Sequence, residues 1–319
     1  MRKPGFYLHI LLALTLSGCL LSSANCQDMS IRVYTIRDGL PGQYVYGANE
    51  DSLGYLWIYT YAGLSRFNGT TFTNYGISDG LPDSRVGPGL IDSSNRFWIT
   101  TYRGIAEFKG NRFISNSPAL QGISPYLLFK TNDRRLLAMT RNGMYEYKKT
   151  AWKKGSVYPG YEDHHCRRLI ETAEGLYFNY GDLVVLAKKN GEYQVIAPAK
   201  DKGYYYNDLL KWGDQLYIST LDGIFRIINN QMVRMPGPLG QLKGVYSFFI
   251  DSKKRFWIAQ PRIGIQLAQN DSSELKTVYK GPAAFLPAGI YEDKHGIIWA
   301  GSGNGLIRIS ERGIKDFDL

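Results

Sequence analysis

Few residues of this 319-residue chain carry catalytic or metal-binding chemistry. The run Asp163–Cys166 (Asp-His-His-Cys) contains metal ligands, but adjacent residues of an extended chain point apart, and tetrahedral sites use wider spacings. The glycine-rich segment Gly301–Gly305 opens no helix, so it lacks the geometry of a phosphate-binding loop. Beyond the N-terminal segment only His164, His165 and His295 remain, too few to assemble a Ser-His-Asp arrangement. The sequence therefore predicts no enzyme, no metal site and no cofactor.

Tyrosine and arginine side chains offer ligand recognition instead. Tyrosine rings can stack on sugar rings, and arginine presents a fork of donors suited to a carboxylate or sulfate. The chain has 24 tyrosines and a formal net charge of +10, so we expect an anionic partner, with an acidic oligosaccharide preferred over nucleic acid. The candidate binding residues, taken from their positions in the repeat described next, are Tyr61, Arg85, Tyr102, Arg103, Arg141, Tyr180, Tyr204, Tyr205, Arg262 and Asn304.

A repeat of about 40 residues organises the chain. The segment LWIYTYAGLSRF at 56–67 recurs as FWITTYRGIAEF at 97–108 and LYISTLDGIFRI at 216–227, with four more degenerate copies. One position aligns through all seven units at spacings of 39 to 42 residues. Its occupants, which we call the slot residues, are Trp57, Trp98, Leu137, Tyr177, Tyr217, Trp257 and Trp299.

Each unit has the pattern of four antiparallel strands. In the first unit the strands are predicted at Tyr44–Glu50, Leu56–Thr60, Leu64–Phe67 and Thr71–Tyr75, with a two-residue turn at Asn68-Gly69. Helical periodicity is absent. Four strands in about 40 residues, repeated seven times, predict an all-β fold: a seven-bladed β-propeller of four-stranded antiparallel blades.

Recurring residues around the slot have structural interpretations. The slot aromatics are expected to pack between blades. An aspartate six residues before the slot is expected to cap its own turn, and a glycine six residues after it to supply a positive φ. The aspartates are Asp51, Asp92, Asp251 and Asp293, and the glycines are those at 63, 104, 143, 223 and 305.

The first 26 residues have the features of a signal peptide. Arg2 and Lys3 precede the apolar stretch Phe6–Leu16, which is short for a transmembrane helix. Two processing routes remain open: a lipobox-like Leu-Ser-Gly ahead of Cys19, which would then be lipidated, or cleavage near Cys26. Either route predicts an exported protein, periplasmic or anchored as an outer-membrane lipoprotein.

The rest of the chain, 30–319, is predicted to form the single propeller domain. No later apolar run approaches 18 residues, so a lipid anchor would be the only membrane attachment. Cleavage after Cys26 leaves Cys166 as the only cysteine, so no intramolecular disulfide can form. We expect the domain to be held together by its core.

Motifs in the units resemble the two-component regulator propeller repeat. The turns Asp38–Pro41 and Asp79–Pro82 (both Asp-Gly-Leu-Pro) and the segment Asp51–Ile58 match it best, and the resemblance covers about Ile31–Leu319. Unit four departs from the pattern, with Glu171 in the Asp position and Leu183 in the Gly position. That repeat builds the periplasmic sensor region of hybrid histidine kinases, chiefly in Bacteroidetes-type bacteria.

The resemblance implies a ligand-binding sensor, often of glycans. It also leads us to expect either a stand-alone relative or part of a longer sensor, because the family's transmembrane helix and kinase core are absent from this sequence. The alternative is a propeller that docks another protein, such as a sensor-kinase partner. A metal-dependent lyase is the third alternative, because streptogramin lyases have similar repeats. The lyases' metal-binding Glu is replaced here by Thr60, Thr101, Gln260 and Ser302.

Two expectations concern geometry. The N-terminal strand Ile31–Ile36 should join the last blade and close the ring, with Ile314–Phe317 competing for the same place. The ligand should lie on the face built from the loops between blades and from the hairpins between second and third strands. The opposite face carries the Asp51-type turns and fewer aromatic residues.

Overall fold

The computed structural model describes residues 29–115, 118–155, 159–161, 164–198 and 206–311. The predicted signal peptide, Cys19, Tyr204, Tyr205 and the segment Ile314–Phe317 lie outside these residues. Within the described ranges, 28 strands form seven four-stranded antiparallel sheets, which confirms the predicted seven-bladed propeller. No helix of this described part is both long enough and apolar enough to cross a bilayer.

Consecutive strands pair in order within each blade, beginning with the inner strand. Blade 1 consists of β2 (Val45–Glu50), β3 (Leu56–Thr60), β4 (Gly63–Phe67) and β5 (Phe72–Tyr75), blade 2 of β6 (Val86–Ile91), β7 (Phe97–Thr101), β8 (Gly104–Lys109) and β9 (Arg112–Ile114), and blade 3 of β10 (Pro125–Lys130), β11 (Leu136–Thr140), β12 (Gly143–Lys148) and β13 (Ala151–Lys154). Blade 4 consists of β14 (Arg168–Glu171), β15 (Gly175–Asn179), β16 (Leu183–Lys188) and β17 (Tyr193–Pro198), and blade 5 of β18 (Tyr206–Trp212), β19 (Gln215–Thr220), β20 (Gly223–Ile228) and β21 (Gln231–Arg234). Blade 6 consists of β22 (Ser247–Ile250), β23 (Phe256–Gln260), β24 (Gly264–Ala268) and β25 (Lys276–Lys280), and blade 7 of β26 (Pro287–Glu292), β27 (Ile298–Ser302) and β28 (Gly305–Glu311), joined by β1 (Met29–Tyr34).

Helical segments are short connections. In the described part of the chain, three are 3₁₀ turns, at Ile36–Asp38, Ile77–Asp79 and Pro118–Leu120, and one is a single α turn, α1, at Gly237–Gln241. The first two 3₁₀ turns contain the Asp of the Asp-Gly-Leu-Pro motifs. The Asp38 carboxylate accepts a hydrogen bond from the Thr35 amide at 2.8 Å, and the motif glycine Gly39 ends the turn at φ 112°. The motif therefore connects one blade to the next.

The hairpin between the second and third strands is locked by a hydroxyl group. In blade 1, Thr60 Oγ1 donates to the Gly63 carbonyl at 2.7 Å and accepts from the Ala62 amide at 3.1 Å. Gly63 has φ 143°, as expected for a glycine at this position. The same donor bond to the glycine carbonyl recurs at Thr101, Thr140, Thr220 and Ser302.

One predicted turn is longer than expected. Phe67 pairs with Phe72, so Asn68–Thr71 form a four-residue connection instead of a two-residue turn at Asn68-Gly69. Asn68 Oδ1 accepts hydrogen bonds from the Thr70 and Thr71 amides at 3.0 and 2.7 Å, which stabilises the longer loop.

The slot aromatics pack between blades, as predicted. Trp57 of blade 1 lies 4.5 Å, centroid to centroid, from Phe97 of blade 2, and both are buried. The aspartate six residues earlier caps its own turn, with Asp51 Oδ1 accepting from the Leu53 and Tyr55 amides. Its other oxygen accepts from Trp57 Nε1 at 2.8 Å, a contact that the sequence analysis did not predict.

The N-terminal strand closes the ring, as predicted. Strand β1 pairs antiparallel with β28, with Val33 opposite Ile307, and is the outermost strand of blade 7. Tyr34 at its end is buried against Phe67, Phe72 and Trp299. The first and last parts of the described chain thus share one blade.

Candidate ligand-binding site

One face of the ring, the mouth face, is built by the hairpins between second and third strands and by the connections between blades. Several hairpin tips are tied to a connection through the backbone. The Tyr61 amide donates to the Tyr44 carbonyl and the Tyr102 amide to the Arg85 carbonyl, both at 3.1 Å. The backbone of these two tips is therefore held beside the inner strands.

Irregularities at the start of the inner strands redirect side chains on this face. The register of β2 shifts between Val45 and Gly47, and that of β10 between Pro125 and Leu127. Each shift leaves one residue unpaired, and such bulges turn a side chain away from the regular alternation of a strand. The unpaired residues are Tyr46 and Tyr126.

These elements enclose a hollow of about 550 Å³, which we call the mouth hollow. It extends from blade 1 across blades 2 and 3 to the connection that leads into blade 4. Four of its twelve lining residues are tyrosines, and it has one arginine and one histidine. The lining residues are Tyr46, Tyr61, Arg85, Val86, Gly87, Pro88, Thr101, Tyr102, Ser124, Pro125, Tyr126 and His165.

Arg85 is held in a fixed orientation in the wall of the mouth hollow. Its Nε and Nη2 donate to the two carboxylate oxygens of Asp83 at 2.9 and 3.0 Å. The guanidinium carbon lies 3.6 Å from the ring centroid of Tyr102, a cation–π contact. These hydrogen bonds also hold the pKa of Asp83 below its usual value. The arginine is thus preorganised, which reduces the entropy lost when a ligand binds.

A second wall is built around Tyr126. Its hydroxyl proton lies between two acceptors, the carbonyls of Thr140 and His164 at 3.2 and 3.3 Å, and its oxygen accepts from the Cys166 amide at 2.9 Å. The His165 ring stacks on the Tyr126 ring with centroids 3.7 Å apart. Burial lowers the pKa of His165, and the charges of Arg167 and Arg141 lower it further. His165 is therefore neutral at pH 7.

Among the residues that the structure describes, cations outnumber carboxylates around the mouth hollow. Asp83 is shared by Arg85 and Arg103, whose Nε lies 3.6 Å from Asp83 Oδ2. Arg141 and Arg167 add charge near His165, as their effect on its pKa shows. The electrostatics therefore favour an anionic ligand.

The structure brings together only part of the predicted set. Tyr61, Arg85 and Tyr102 line the mouth hollow, and Arg103 and Arg141 lie beside it. The remaining described candidates, Tyr180, Arg262 and Asn304, lie elsewhere.

Tyr180 does not present its ring to a ligand. Its side chain is only 6% exposed and packs between Tyr161 and Phe178. Arg262 lies in a separate hollow formed by blades 5 to 7, and Asn304 is half-buried in the blade 7 hairpin. The expectation that Arg103, Arg141 and Arg262 act at one site is therefore not supported by their positions.

Sequence analysis missed Tyr46 and Tyr126 as lining residues. Tyr46 lies within the predicted inner strand Tyr44–Glu50, and Tyr126 lies in the corresponding strand β10 (Pro125–Lys130), where regular alternation would not single them out. An aromatic residue close to the mouth end of an inner strand was the available signal. The bulges that expose them depend on pairing with the second strand, which the sequence pattern did not reveal.

Structural comparisons show the same fold in several functional classes. The extracellular domain of a B. thetaiotaomicron hybrid two-component system, BT3049, matches over 89% of this chain with a TM-score of 0.71 and 17% identity. Virginiamycin B lyase from Staphylococcus aureus matches with a TM-score of 0.67 and 14% identity over 89% of this chain and 99% of the lyase chain. PorZ, a surface component of the type-IX secretion system of Porphyromonas gingivalis, matches over 86% of this chain and 48% of its own, with a TM-score of 0.66 and 15% identity.

The sequence resemblance to sensor propellers thus agrees with the structural relatives, which include extracellular domains of two-component systems. At these identities the likeness shows a shared fold. The chain spans about two fifths of the length of these extracellular domains, 42% for BT3049. No protein-family model and no curated protein matches the chain.

Proposed function

We propose that this propeller is an exported, ligand-binding sensor module that binds an acidic oligosaccharide in the mouth hollow. The observation that carries the proposal is Arg85, fixed by Asp83 and stacked on Tyr102 in the wall of an aromatic hollow. Such an arrangement offers directed donors for a carboxylate or sulfate next to ring faces for sugars.

The form of the hollow favours a sugar over a compact anion. A volume of about 550 Å³ lies within the range of small-molecule sites and accommodates more than a single ion. Tyr61 and Tyr102 are each about half exposed, so part of each ring is accessible, although Arg85 covers one face of Tyr102. The surrounding arginines attract the acidic groups of a sugar, but they do not enclose a single ion as the ligands of an ion-binding site would.

A sensor role is supported by the named relatives and by the sequence. The matched B. thetaiotaomicron domains are extracellular parts of signalling systems. The signal-peptide features of residues 1–26 support export, to the periplasm or, through Cys19, to the outer membrane. We therefore propose that ligand binding here serves two-component signalling through a kinase-bearing partner.

A binding role is favoured over catalysis. Within the part of the chain that the structure describes, no group of three His, Cys, Asp or Glu residues could hold a metal ion. The positions aligned with the lyases' metal-binding Glu have structural roles here. Thr60, Thr101 and Ser302 are buried and close their hairpins through hydroxyl bonds.

Calorimetric titration of the mature domain with sulfated or uronic-acid oligosaccharides, against neutral sugars of equal length, tests the proposal. We expect Arg85→Gln to weaken binding of the anionic sugar by about 1–3 kcal/mol, because a charge-assisted hydrogen bond is lost. The double variant Asp83→Asn/Arg85→Gln keeps the local net charge but lacks the directed donors. It should therefore fail to restore affinity.

Tyr61→Ala should also weaken binding of the anionic sugar. Arg262→Ala, which is remote from the mouth hollow, is the control and should leave the affinity unchanged. Full affinity in the Tyr61→Ala/Arg85→Gln variant would remove the mouth hollow from consideration. If the whole panel of sugars failed to bind the parent domain, the ligand class would be wrong.

A further inference from the structure

A second hollow, of about 660 Å³, lies on the mouth face at blades 5 to 7, away from the mouth hollow. It is formed mainly by the blade 6 hairpin and by the connection from blade 6 to blade 7. Its lining residues are Leu221, Lys243, Gly244, Tyr246, Gln260, Pro261, Arg262, Ile263, Ala283, Ala284, Phe285 and Leu286.

The floor of the second hollow is well ordered. Phe285 is fully buried, and its carbonyl accepts a hydrogen bond from the Arg262 amide at 3.3 Å. The Gly281 amide donates to the Ile263 carbonyl at 3.1 Å, so the connection and the hairpin are held together. The hollow is therefore a preformed feature of the fold.

Its rim is apolar and exposed. Four large side chains, each 43–52% exposed, surround the opening: Leu221, Tyr246, Ile263 and Leu286. Three of these four are aliphatic, unlike the tyrosine-rich mouth hollow. Clustered exposed aliphatic side chains around a depression are typical of a surface that contacts another protein.

The charge at the rim is positive. Asp222 pairs with both Arg234 and Lys243, so one carboxylate serves two cations. No carboxylate among the described residues lies within ion-pair distance of Arg262. Three cations at this edge thus face one described carboxylate, and this excess of positive charge, with Arg262 foremost, complements an acidic partner.

We propose that the second hollow docks a partner protein through an acidic segment that inserts one large apolar side chain. The apolar side chain would contact Leu286 and Ile263 above the Phe285 floor, while flanking carboxylates would pair with Arg262. This inference is independent of the oligosaccharide site, because the two hollows share no lining residue.

An array of short immobilised peptides tests the proposal with the mature domain. The array varies charge (Glu, Ser or Lys) around a central Leu, Phe, Trp or Gly. We expect saturable binding by acidic peptides with an apolar centre, and little binding by basic peptides or by peptides with a glycine centre. Leu286→Glu and Arg262→Glu should each weaken binding by about tenfold or more.

Matched controls exist in the chain. Leu53→Glu changes a leucine exposed on a turn of the opposite face, and Arg134→Glu changes an exposed arginine with a left-handed backbone (φ 68°) like that of Arg262 (φ 65°). Both controls should bind as the parent does. Melting temperatures verify that all variants fold.

Three results would overturn the inference: no saturable peptide, equal binding of basic and acidic peptides, or full binding by Leu286→Glu. Sedimentation velocity adds a fourth. A dimer of the parent domain that Leu286→Glu dissolves would assign the second hollow to another copy of this chain. A negative result in the peptide experiments leaves the sugar titrations unaffected, so the docking proposal and the oligosaccharide proposal are judged separately.

Discussion

The most informative single residue is the aspartate six positions before a slot tryptophan. Its two oxygens perform different tasks: one caps the turn, and the other accepts from the indole N–H of the buried tryptophan. Blades whose slot is not tryptophan lack this aspartate, with Thr131, Glu171 and Lys211 in its place. Because a buried indole N–H needs an acceptor, the two residues occur together.

Asp251 is expected to be the most sensitive member of this set. It is fully buried, and it accepts from the Lys253 and Arg255 amides, from Trp257 Nε1 at 2.8 Å and from Arg255 Nε at 2.6 Å. Asp251→Ala should lower the free energy of unfolding by about 3–5 kcal/mol, because the buried Trp257 indole loses its acceptor and the buried Arg255 loses its Asp251 ion pair and keeps Glu311. Urea denaturation measures the change.

The matched control is Asp133→Ala in blade 3. Asp133 also bonds a nearby arginine, Arg135, but lies at the surface, so its loss should cost less than about 1 kcal/mol. Equal destabilisation by the two variants would contradict the role assigned to the buried aspartate.

His165 predicts a pH dependence of ligand binding. Its pKa is lowered by burial, by Arg167 and by Arg141, so the free protein carries a neutral imidazole near pH 7. A bound anion would favour the protonated form, so its affinity should rise as pH falls through the pKa of the liganded state. We expect binding of a sulfated oligosaccharide to be about threefold to tenfold tighter at pH 5.5 than at pH 7.5.

His165→Asn should flatten this dependence while binding at pH 7.5 changes little. A neutral sugar serves as the control ligand. An unchanged pH slope in His165→Asn would show that another group titrates.

At the scale of elements, the inner strands position the site and the outer strands close the ring. Inner-strand carboxylates also join neighbouring blades on the face opposite the mouth. Glu50 of blade 1 accepts from the Lys294 amide of blade 7 at 3.0 Å, and Glu292 of blade 7 accepts from the Ser252 amide of blade 6 at 2.7 Å. The seam between the first and last blades is therefore bonded at the inner strand as well as at β1.

The closing strand should contribute strongly to stability. Tyr34→Ala removes a buried ring in contact with Phe67, Phe72 and Trp299, and should lower the free energy of unfolding by about 3–5 kcal/mol. Ile36→Ala, in the exposed turn that follows, should cost less than about 0.5 kcal/mol. Chemical denaturation of both variants gives the comparison.

A chain that begins at Thr35 extends the test to the whole strand. Its loss exposes the edge of β28, so we expect a lower melting temperature and a tendency to associate through that edge. An unchanged melting temperature would show that β1 does not hold the ring closed.

At the scale of the whole molecule, departures from the repeat create the two hollows. Seven identical blades would give a symmetric face with no unique site. Register shifts also occur at the start of β6, β18 and β26, so the mouth hollow is distinguished by the side chains at its bulges, Tyr46 and Tyr126 beside Arg85. The second hollow forms at blade 6, where Gln260 replaces the hairpin-locking hydroxyl and its side chain donates to the Lys243 carbonyl.

The sequence by itself determined the architecture. A 40-residue period, four strand patterns per unit and glycines at fixed offsets specify a seven-bladed propeller, because each is a local requirement of turn geometry or strand pairing. The closing role of the N-terminal strand also followed from its likeness to the other outer strands. Tyr61, Arg85 and Tyr102 were expected on one face because hairpin tips and connections alternate regularly, and they line one hollow of that face; their role in binding stays a prediction.

Only the tertiary structure decided which side chains share a site. Bulges, which depend on the pairing of two strands, brought in Tyr46 and Tyr126 and could not be located from periodicity. Packing across blades buried Tyr180 and moved Arg262 to a different hollow. A repeat fixes each residue's place within its own blade. The surroundings of that residue are set by neighbouring blades, whose sequences differ most where the ring departs from symmetry.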